Sequence, residues 1–236
     1  LPLSLAISLL VRPVAAQNPP LGRELPRVCV SGNCTGGVSS WAAPGPGAPA
    51  RAVNGRTMTI RQPRQRELYN WESFDVGAGY KVEFEQKFGS AAVALNRVLG
   101  KTNPQSIING QVKAPGEVYV INQNGIVFGS QAKVDTHSLT ASTLKLWDDQ
   151  EFLAGGLTAA IRKTDAAGNP TPEPAFDHSG AAGDIEVQKG ARITSAKGGR
   201  VLLVAPKVEN AGRIETPDGQ TVLAGSHDRV YIAAAD

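Results

Sequence analysis

The sequence predicts an all-β protein built as a parallel β-helix. From Val53 onward it is a succession of apolar runs of four to seven residues, rich in Val, Ile, Leu, Thr and Tyr and broken by Gly, Asn and Asp. Helical periodicity is nearly absent. The runs recur at a spacing of about 21 residues. Short strands at a fixed spacing, with Gly at the corners, are typical of a solenoid in which each coil buries its apolar face against the next.

The repeat is clearest where residues 193–203 align with residues 214–224 at an offset of 21. This alignment makes the following pairs equivalent: Ile193 and Ile214, Gly198 and Gly219, Val201 and Val222, Leu202 and Leu223. Val118 and Leu139 are also 21 residues apart, and Val112 and Val134 are 22 apart. Stacked coils would rise by one strand spacing, about 4.8 Å. A β-sandwich also gives short strands at even spacing and is the alternative fold.

Residues 118–129 (VYVINQNGIVFG) predict two buried strands joined by a tight turn. A half-exposed hairpin would alternate apolar and polar residues, whereas both runs are apolar at consecutive positions. Such runs suit parallel strands that are covered on both faces. Asn122, Gln123, Asn124 and Gly125 fit a type I turn, because Asn is preferred at its first position and Gly at its fourth. Ile126 then opens the second strand.

The first residues have the pattern of an export signal. Residues 1–11 are apolar, and residues 13–16 (PVAA) end the run with the small residues that signal peptidase accepts, so we interpret residues 1–16 as the remainder of a signal peptide. A buried strand or helix of the mature protein is the alternative. No later apolar run approaches the roughly 18 residues that a membrane-spanning helix needs. The sequence thus predicts an exported protein that does not span a membrane.

Residues 17–52 are rich in Pro, Gly, Ala and Ser and predict a linker or a loosely attached cap. Cys29 and Cys34 enclose only four residues within this segment. Because an exported chain passes through an oxidising compartment, we expect a local disulfide. A metal site is the alternative, although the segment has no His to complete a tetrahedral set.

Two segments depart from the strand pattern. Residues 147–161 are the one candidate for an amphipathic helix, and Gly155 and Gly156 weaken it. Residues 164–178 contain the sequence GNPTPEP and break the repeat, which predicts a solvated and mobile surface loop. The Asn residues are assigned to corners of the solenoid, where their side chains can bond the backbone. These corner residues are Asn96, Asn103, Asn109, Asn122, Asn124 and Asn210.

The charge distribution and the scattered positions of the titratable residues argue against several functions. The net charge of +3 comes from 24 basic and 21 acidic residues without a basic stripe, so nucleic acid is not an expected partner. His137, His178 and His227 are scattered, and no catalytic set, metal cluster or cofactor motif is present. Other β-helices are polysaccharide lyases and hydrolases. Their sites require carboxylates and cations on one face, and the candidates here are Asp75, Arg97, Lys133 and Asp135.

From about Val53 to Tyr231 the chain resembles the two-partner secretion domain at the N-terminus of filamentous-haemagglutinin-like exoproteins. The resemblance is carried in this order by residues 70–77 (NWESFDVG), 90–98 (SAAVALNRV) with Gly100, 118–129, 139–144 (LTASTL), 149–155 (DQEFLAG) and 203–210 (LVAPKVEN). The family commonly has Asn-Pro-Asn-Gly-Ile where this chain has Asn122-Gln123-Asn124-Gly125-Ile126. Pro would pre-set the second turn position, and Gln can still adopt its dihedral angle.

The resemblance implies a right-handed parallel β-helix over residues 53–236, with an N-terminal cap and no enzymatic activity or cofactor. It implies export to the surface of a Gram-negative bacterium, through the periplasm and an outer-membrane transporter of the Omp85 (TpsB) class. The periplasmic POTRA domains of that transporter would recognise the unfolded chain, and folding at the cell surface would help draw the exoprotein outward. Residues 122–126 are the first recognition element, and Asn96 and Arg97 are the second.

Two other functions stay open from the sequence. A carbohydrate-active β-helix would place its site around Asp135, and a directly adhesive domain would use exposed strand faces or the loop at residues 164–178. Any host-cell contact of the exoprotein is expected in regions downstream of this domain. Residues 230–232 (VYI) are interpreted as the opening of another coil, from which we expect that the natural polypeptide continues.

Overall fold

A computed structural model describes residues 24–30, 32–38, 49–102, 105–157, 164–178 and 182–232. The predicted signal segment at residues 1–16 lies outside these residues. The elements in chain order are β1 (Arg27–Val28), a 3-10 turn (Thr35–Gly37), β2 (Ala50–Asn54), β3 (Thr57–Gln62), β4 (Arg66–Ser73), β5 (Lys81–Gln86), a 3-10 turn (Gly89–Ala91), β6 (Val93–Val98), β7 (Ser106–Ile108), β8 (Gln111–Ile121), β9 (Ile126–Phe128), β10 (Lys133–Ser142), β11 (Lys145–Leu146), α1 (Asp149–Gly155), β12 (Phe176–Asp177), β13 (Ile185–Val187), β14 (Arg192–Ser195), β15 (Arg200–Ala205), β16 (Val208–Asn210), β17 (Arg213–Glu215) and β18 (Gln220–Gly225).

Parallel pairing between successive coils arranges the strands in three faces. Face 1 stacks β3, β5, the first part of β8, the first part of β10, β14 and β17. Face 2 stacks β4, β6, the second parts of β8 and β10, β15 and β18. Face 3 stacks β7, β9, β13 and β16. The predicted parallel β-helix is confirmed, and the β-sandwich alternative is wrong.

The coils are not all of the predicted length of about 21 residues. Val118 pairs with Leu139 and Ile193 with Ile214, as predicted. The offset is larger in the first coils, where Met58 pairs with Val82 and Lys81 with Gln111. These coils are longer because their corners hold more residues, whereas the strands of each face keep their register.

One predicted register is wrong by a single residue. Val201 pairs with Thr221 rather than Val222, and Leu202 pairs with Val222 rather than Leu223. The corner between β17 and β18 is one residue shorter than the corner between β14 and β15. The alignment of residues 193–203 with residues 214–224 assumed that the two corners have the same length. The glycine stacked on Gly219 is consequently Gly199, not Gly198.

Two apolar clusters explain why the central strands do not alternate. Val118 and Val120 point into the solenoid and belong to its interior core. Tyr119 and Ile121, on the same strand, point outward into a second cluster on face 2 that also contains Phe152 and Phe176. Residues on both sides of the second part of β8, from Val118 to Ile121, are therefore buried, which gives the continuous apolar run.

The cover of face 2 is an excursion of the chain between β10 and β13, which contains β11, α1 and β12. Helix α1 is shorter than the predicted 147–161: the Asp148 carboxylate accepts bonds from the backbone of Gln150 and Glu151, and the helix stops before Gly156, whose φ is +77°. The predicted solvated loop needs a correction. Residues 164–172 are exposed, but Pro174, Ala175 and Phe176 are buried, and Phe176 packs on face 2.

The N-terminal cap is antiparallel and tightly attached. Strand β1 pairs with β4, and β2 pairs with β3. Cys29 and Cys34 form a disulfide, and both are buried. The backbone of Thr35 donates to the Leu99 carbonyl at 2.8 Å. The described part of residues 17–52 is thus docked on the first coils rather than loosely attached.

The last described strand segment also differs from its prediction. Val230 pairs antiparallel with Phe176 in the excursion and does not open a parallel coil. Its N–H donates to the Phe176 carbonyl at 2.9 Å. Residues 226–232 therefore help to close the outer cluster on face 2. Within the described residues, none of the helices is long and apolar enough to cross a bilayer.

We expect a pH effect from Glu67, an inward-facing residue of β4 that is 3% exposed. Burial raises the pKa of this carboxyl above its usual 4.5, although the Arg64 guanidinium opposes the shift. The folded state therefore holds a proton that the unfolded chain releases, so stability falls as the pH rises from 4.5 through the folded pKa. Glu67→Gln should remove this loss and raise the urea midpoint at neutral pH.

The control for this prediction is Glu85→Gln, which removes a carboxylate that is 55% exposed in its pair with Arg61. Urea midpoints of both variants and the parent would be measured between pH 4 and pH 8. An unchanged slope in Glu67→Gln across the window above pH 4.5 would contradict the assigned cause.

Candidate functional site

The first predicted motif forms the tight corner between faces 2 and 3. The Gly125 N–H donates to the Asn122 carbonyl at 3.1 Å, which closes a four-residue turn. Gln123 and Asn124 both have negative φ, the condition for a type I turn. Gly125 has φ +118°, and a β-carbon there would lie 3.3 Å from the Asp184 carbonyl, so the fourth position requires glycine.

Asn122 holds this corner from the inside. Its side chain is fully buried, its Oδ1 accepts from the Asn124 N–H at 3.0 Å, and its Nδ2 donates to the Ser106 hydroxyl at 3.0 Å. Ile126 is fully buried as well, whereas Gln123 is half-buried and Asn124 is exposed. In the folded domain a partner could reach only the two central side chains of the turn.

The second predicted motif divides between the two sides of β6. Asn96 points inward and is fully buried; it accepts from Trp71 Nε1 and donates to the Tyr119 carbonyl, both at 3.0 Å. Arg97 points outward. It donates from Nε and Nη2 to Asn70 Oδ1 at 3.1 and 2.9 Å, and Nη1 pairs with the Asp149 carboxylate of α1. Arg97 therefore joins face 2 to the excursion.

A cavity of about 80 Å³ brings the two motifs together. Arg97 and Gln123 both line it, although they come from different coils. The other lining residues are Val98, Leu99, Ile121, Lys145, Leu146 and Asp149. Four of the eight lining residues are apolar, and the Arg97 guanidinium in the wall is already paired with the Asp149 carboxylate.

Two of the predicted motif residues line this cavity. Arg97 and Gln123 were predicted, but Asn96 and Asn122 are buried and do not line the cavity. Lys145 and Asp149 were missed, because the sequence gives no sign that the excursion folds back onto β6. The outward apolar side chain of Ile121 was the available signal that something covers this face.

The residues considered for an enzyme do not converge. Asp75 is buried and accepts from the Ile107 N–H at 2.8 Å, Asp135 is exposed on face 1, and Arg97 lies on face 2. Across the ranges that the structure describes, no group of three His, Cys, Asp or Glu side chains could hold a metal ion. His178 and His227 do meet, with ring centroids 6.2 Å apart, which the sequence did not predict.

The turn geometry supports a specific stability prediction. Gln123→Pro should raise the free energy of unfolding by about 0.4 to 1 kcal/mol, because proline fixes a φ that the second turn position already needs and so restricts the unfolded chain. Asn124→Pro is the control, since proline is disfavoured at the third position and would remove the N–H that donates to Asn122. Denaturant midpoints measure both, and an equal or lower midpoint for Gln123→Pro would contradict the turn type.

Comparisons with known proteins agree with this architecture. A family model described as the TPS secretion domain matches residues 42–235. The heme/hemopexin-binding protein of Haemophilus influenzae is 39% identical over 89 residues, which cover 38% of this chain and 9% of that protein. The same protein from strain KW20 is 38% identical over 92 residues, covering 39% of the chain and 10% of the relative. The aligned part is about a tenth of the length of these relatives.

A solved structure extends the likeness to three dimensions. The crystal structure of the HMW1 secretion domain from Haemophilus influenzae superposes with a TM-score of 0.61 at 27% sequence identity, and covers 77% of this chain and 43% of that one. The family match spans most of the 236 residues and includes both motifs and the whole solenoid. The chain belongs to the TPS (two-partner secretion) secretion domain family.

Proposed function

We propose that this domain directs the export of the polypeptide that carries it, by engaging a cognate outer-membrane transporter of the Omp85 (TpsB) class. The observation that carries the proposal is the family match over residues 42–235. The domain acts as an address and carries no catalytic chemistry of its own. Its destination is the cell surface or exterior of a Gram-negative bacterium, reached through the periplasm. Host-cell contacts and the activity of the whole exoprotein are assigned to regions outside this domain.

The burial of both motif asparagines suggests when recognition occurs. Asn96 and Asn122 are fully buried in the folded domain, so a transporter cannot contact their side chains there. We infer that the periplasmic POTRA domains bind these segments while the chain is extended. Strand segments suit this role, because an extended chain can add to a sheet edge through its backbone and present alternate side chains to pockets.

Folding would then remove the recognised side chains from the transporter. Within the described residues, the side chains of these asparagines take part in five hydrogen bonds, three at Asn96 and two at Asn122. Burial of the surrounding apolar side chains favours the folded state at about 25 cal/mol per Å². Recognition and folding thus compete for one set of residues. A chain that has folded outside the cell can no longer bind the transporter through them, so export proceeds outward.

The test compares two asparagines that make the same local hydrogen bond, one buried (Asn122) and one exposed (Asn210). Asn122 accepts from the N–H two residues ahead, and Asn210 does the same with Gly212, at 3.0 Å in both corners. We expect Asn122→Ala to reduce secretion through the cognate transporter and Asn210→Ala to leave it intact. The assay is the ratio of secreted to periplasmic protein when both genes are co-expressed.

Folding must be measured beside secretion, because Asn122→Ala also removes bonds inside the domain. Circular dichroism and thermal melting of the purified variants separate the two effects. A second variant, Asn124→Ala, changes an exposed side chain of the same turn and retains the backbone bond to Asn122. If both motif variants are secreted as efficiently as Asn210→Ala, the assigned recognition role of the turn is wrong.

A further inference from the structure

A column of cationic side chains runs along the outside of face 1. The first outward position of each strand is in register from coil to coil, and the six residues at this position are Thr57, Lys81, Gln111, Lys133, Arg192 and Arg213. The neighbouring positions, such as Val82 and Val134, point into the core. Four cations therefore stand in one line, with about 4.8 Å between successive coils. The column contains no acid.

A groove of about 680 Å³ follows this column at the corner between faces 3 and 1. It is lined by Thr57, Gly79, Tyr80, Lys81, Gly110, Gln111, Ser130, Gln131, Ala132, Lys133, Gly190 and Arg192. Carboxylates are absent from this lining, whereas three cations, two amides, the hydroxyls of Thr57 and Ser130 and one tyrosine are present. Gly110 and Gly190 allow close backbone packing at this corner, because a β-carbon there would lie 2.3 Å from the Gly77 carbonyl oxygen and 2.6 Å from the Ser130 carbonyl oxygen, respectively.

Among the described residues, the outer cations of the column form ion pairs that the two central ones lack. Lys81 pairs with Glu83 at 2.6 Å, and Arg213 pairs with Glu215. Lys133 and Arg192 are exposed, and within the described residues neither forms an ion pair. These two cations are direct neighbours in register on β10 and β14. An anion in the groove would therefore meet them without displacing an internal partner.

We propose that this groove binds a linear acidic polysaccharide. A column with cations at four of six in-register positions is complementary to a polymer that carries sulfate or carboxylate groups along an extended chain. The amides of Gln111 and Gln131 and the Ser130 hydroxyl supply hydrogen bonds of the kind that sugar hydroxyls make.

Single-stranded nucleic acid fits this groove less well. It binds through successive aromatic platforms on which bases stack. Tyr80 is the one aromatic residue of the lining, and the Arg56 guanidinium already lies 5.6 Å from its ring centre. The surface thus has the charge for a polyanion but lacks a series of stacking rings, which favours the polysaccharide.

The test uses Lys133→Gln/Arg192→Gln and, as a control of equal charge, Lys197→Gln/Lys207→Gln, which changes exposed lysines paired with Asp218 and Glu209 on other surfaces. Binding of the purified chain to heparin and to polygalacturonate is measured by fluorescence anisotropy at physiological salt. The groove variant should bind roughly tenfold or more weakly, since each cation near an anionic surface contributes about a fivefold factor. The control should keep the parent affinity.

Three results would overturn the proposal: equal losses in the two double variants, undetectable binding by the parent, or equally tight binding of an oligothymidylate of matched charge. The last result would assign the groove to polyanions in general. Thermal melting verifies that the variants fold. Secretion of the groove variant should match the parent, so failure of this proposal is distinguishable from failure of the export function.

Discussion

Gly199→Ala should lower the free energy of unfolding by about 3 kcal/mol, because it places a methyl group inside a close contact between coils. A β-carbon at Gly199 would lie 1.9 Å from the His137 carbonyl oxygen and 3.0 Å from that of Ala196. Both obstacles are backbone atoms, so the strain cannot be relieved by rotating a side chain. The coils themselves would have to separate at this corner. Urea denaturation followed by tryptophan fluorescence measures the change.

Gly225→Ala is the matched control for this substitution. Its β-carbon would lie 3.5 Å from the Pro206 carbonyl, an ordinary contact, and its φ is outside the left-handed region. We expect a change of less than about 0.5 kcal/mol, which is the usual range for a surface substitution without a special contact. If Gly199→Ala were as stable as Gly225→Ala, the close stacking of this corner would be wrong.

Asn96→Ala should be nearly as damaging, with a loss of about 3 kcal/mol. The substitution removes the acceptor of the buried Trp71 indole N–H and the donor to the Tyr119 carbonyl. Polar groups that lose their partners inside a core pay the full cost of desolvation, which exceeds the net value of the bonds themselves. The effect is measured as a shift in the denaturant midpoint at constant slope.

A double-mutant cycle tests the mechanism of that loss. Trp71→Phe removes the indole N–H, so Asn96→Ala should cost less in this background than in the parent. Asn70→Ala is the control on the neighbouring coil, where the asparagine is half-buried and accepts from Arg97. Additive effects of Asn96→Ala and Trp71→Phe would exclude the proposed pairing as the source of the loss.

The fold was predictable because stacked coils leave a direct trace in the sequence. Equivalent inward residues recur whenever a coil repeats, as Val118 and Leu139 do. Corners show no such repeat, because they can gain or lose residues while the same side of each strand still faces the core. The single-residue error at Val201 arose there, and so did the underestimated length of the first coils.

The burial of polar residues at the corners could not be predicted from the sequence. Gln62 is fully buried and donates to the carbonyls of Arg64, Gln65 and Val93, and Gln86 donates in turn to Gln62. In the sequence each is an isolated glutamine near an exposed-looking turn. Only the stacking of β3 on β5 shows that they form one ladder inside the solenoid.

The candidate site was predictable only in the part that belongs to the repeating coils. Arg97 and Gln123 belong to regular coils, so their positions follow from the repeat. Lys145 and Asp149 belong to the excursion, whose path is set by contacts of Phe152 and Phe176 with face 2. A loop that packs through two separated aromatic residues has no period, and its sequence does not reveal which face it covers.

The excursion also affects the order in which the coils can assemble. Val134 pairs with Val112 on one side, 22 residues away, and with Ile193 on the other, 59 residues away. Closing the longer loop costs about 1 kcal/mol more in chain entropy than closing the shorter one. Coils before the excursion form from near neighbours in sequence, whereas β14 and β15 must await a distant segment. If the chain is exported with its N-terminus first, the coils up to β10 would therefore fold first. The remaining coils would fold in a slower, separate step.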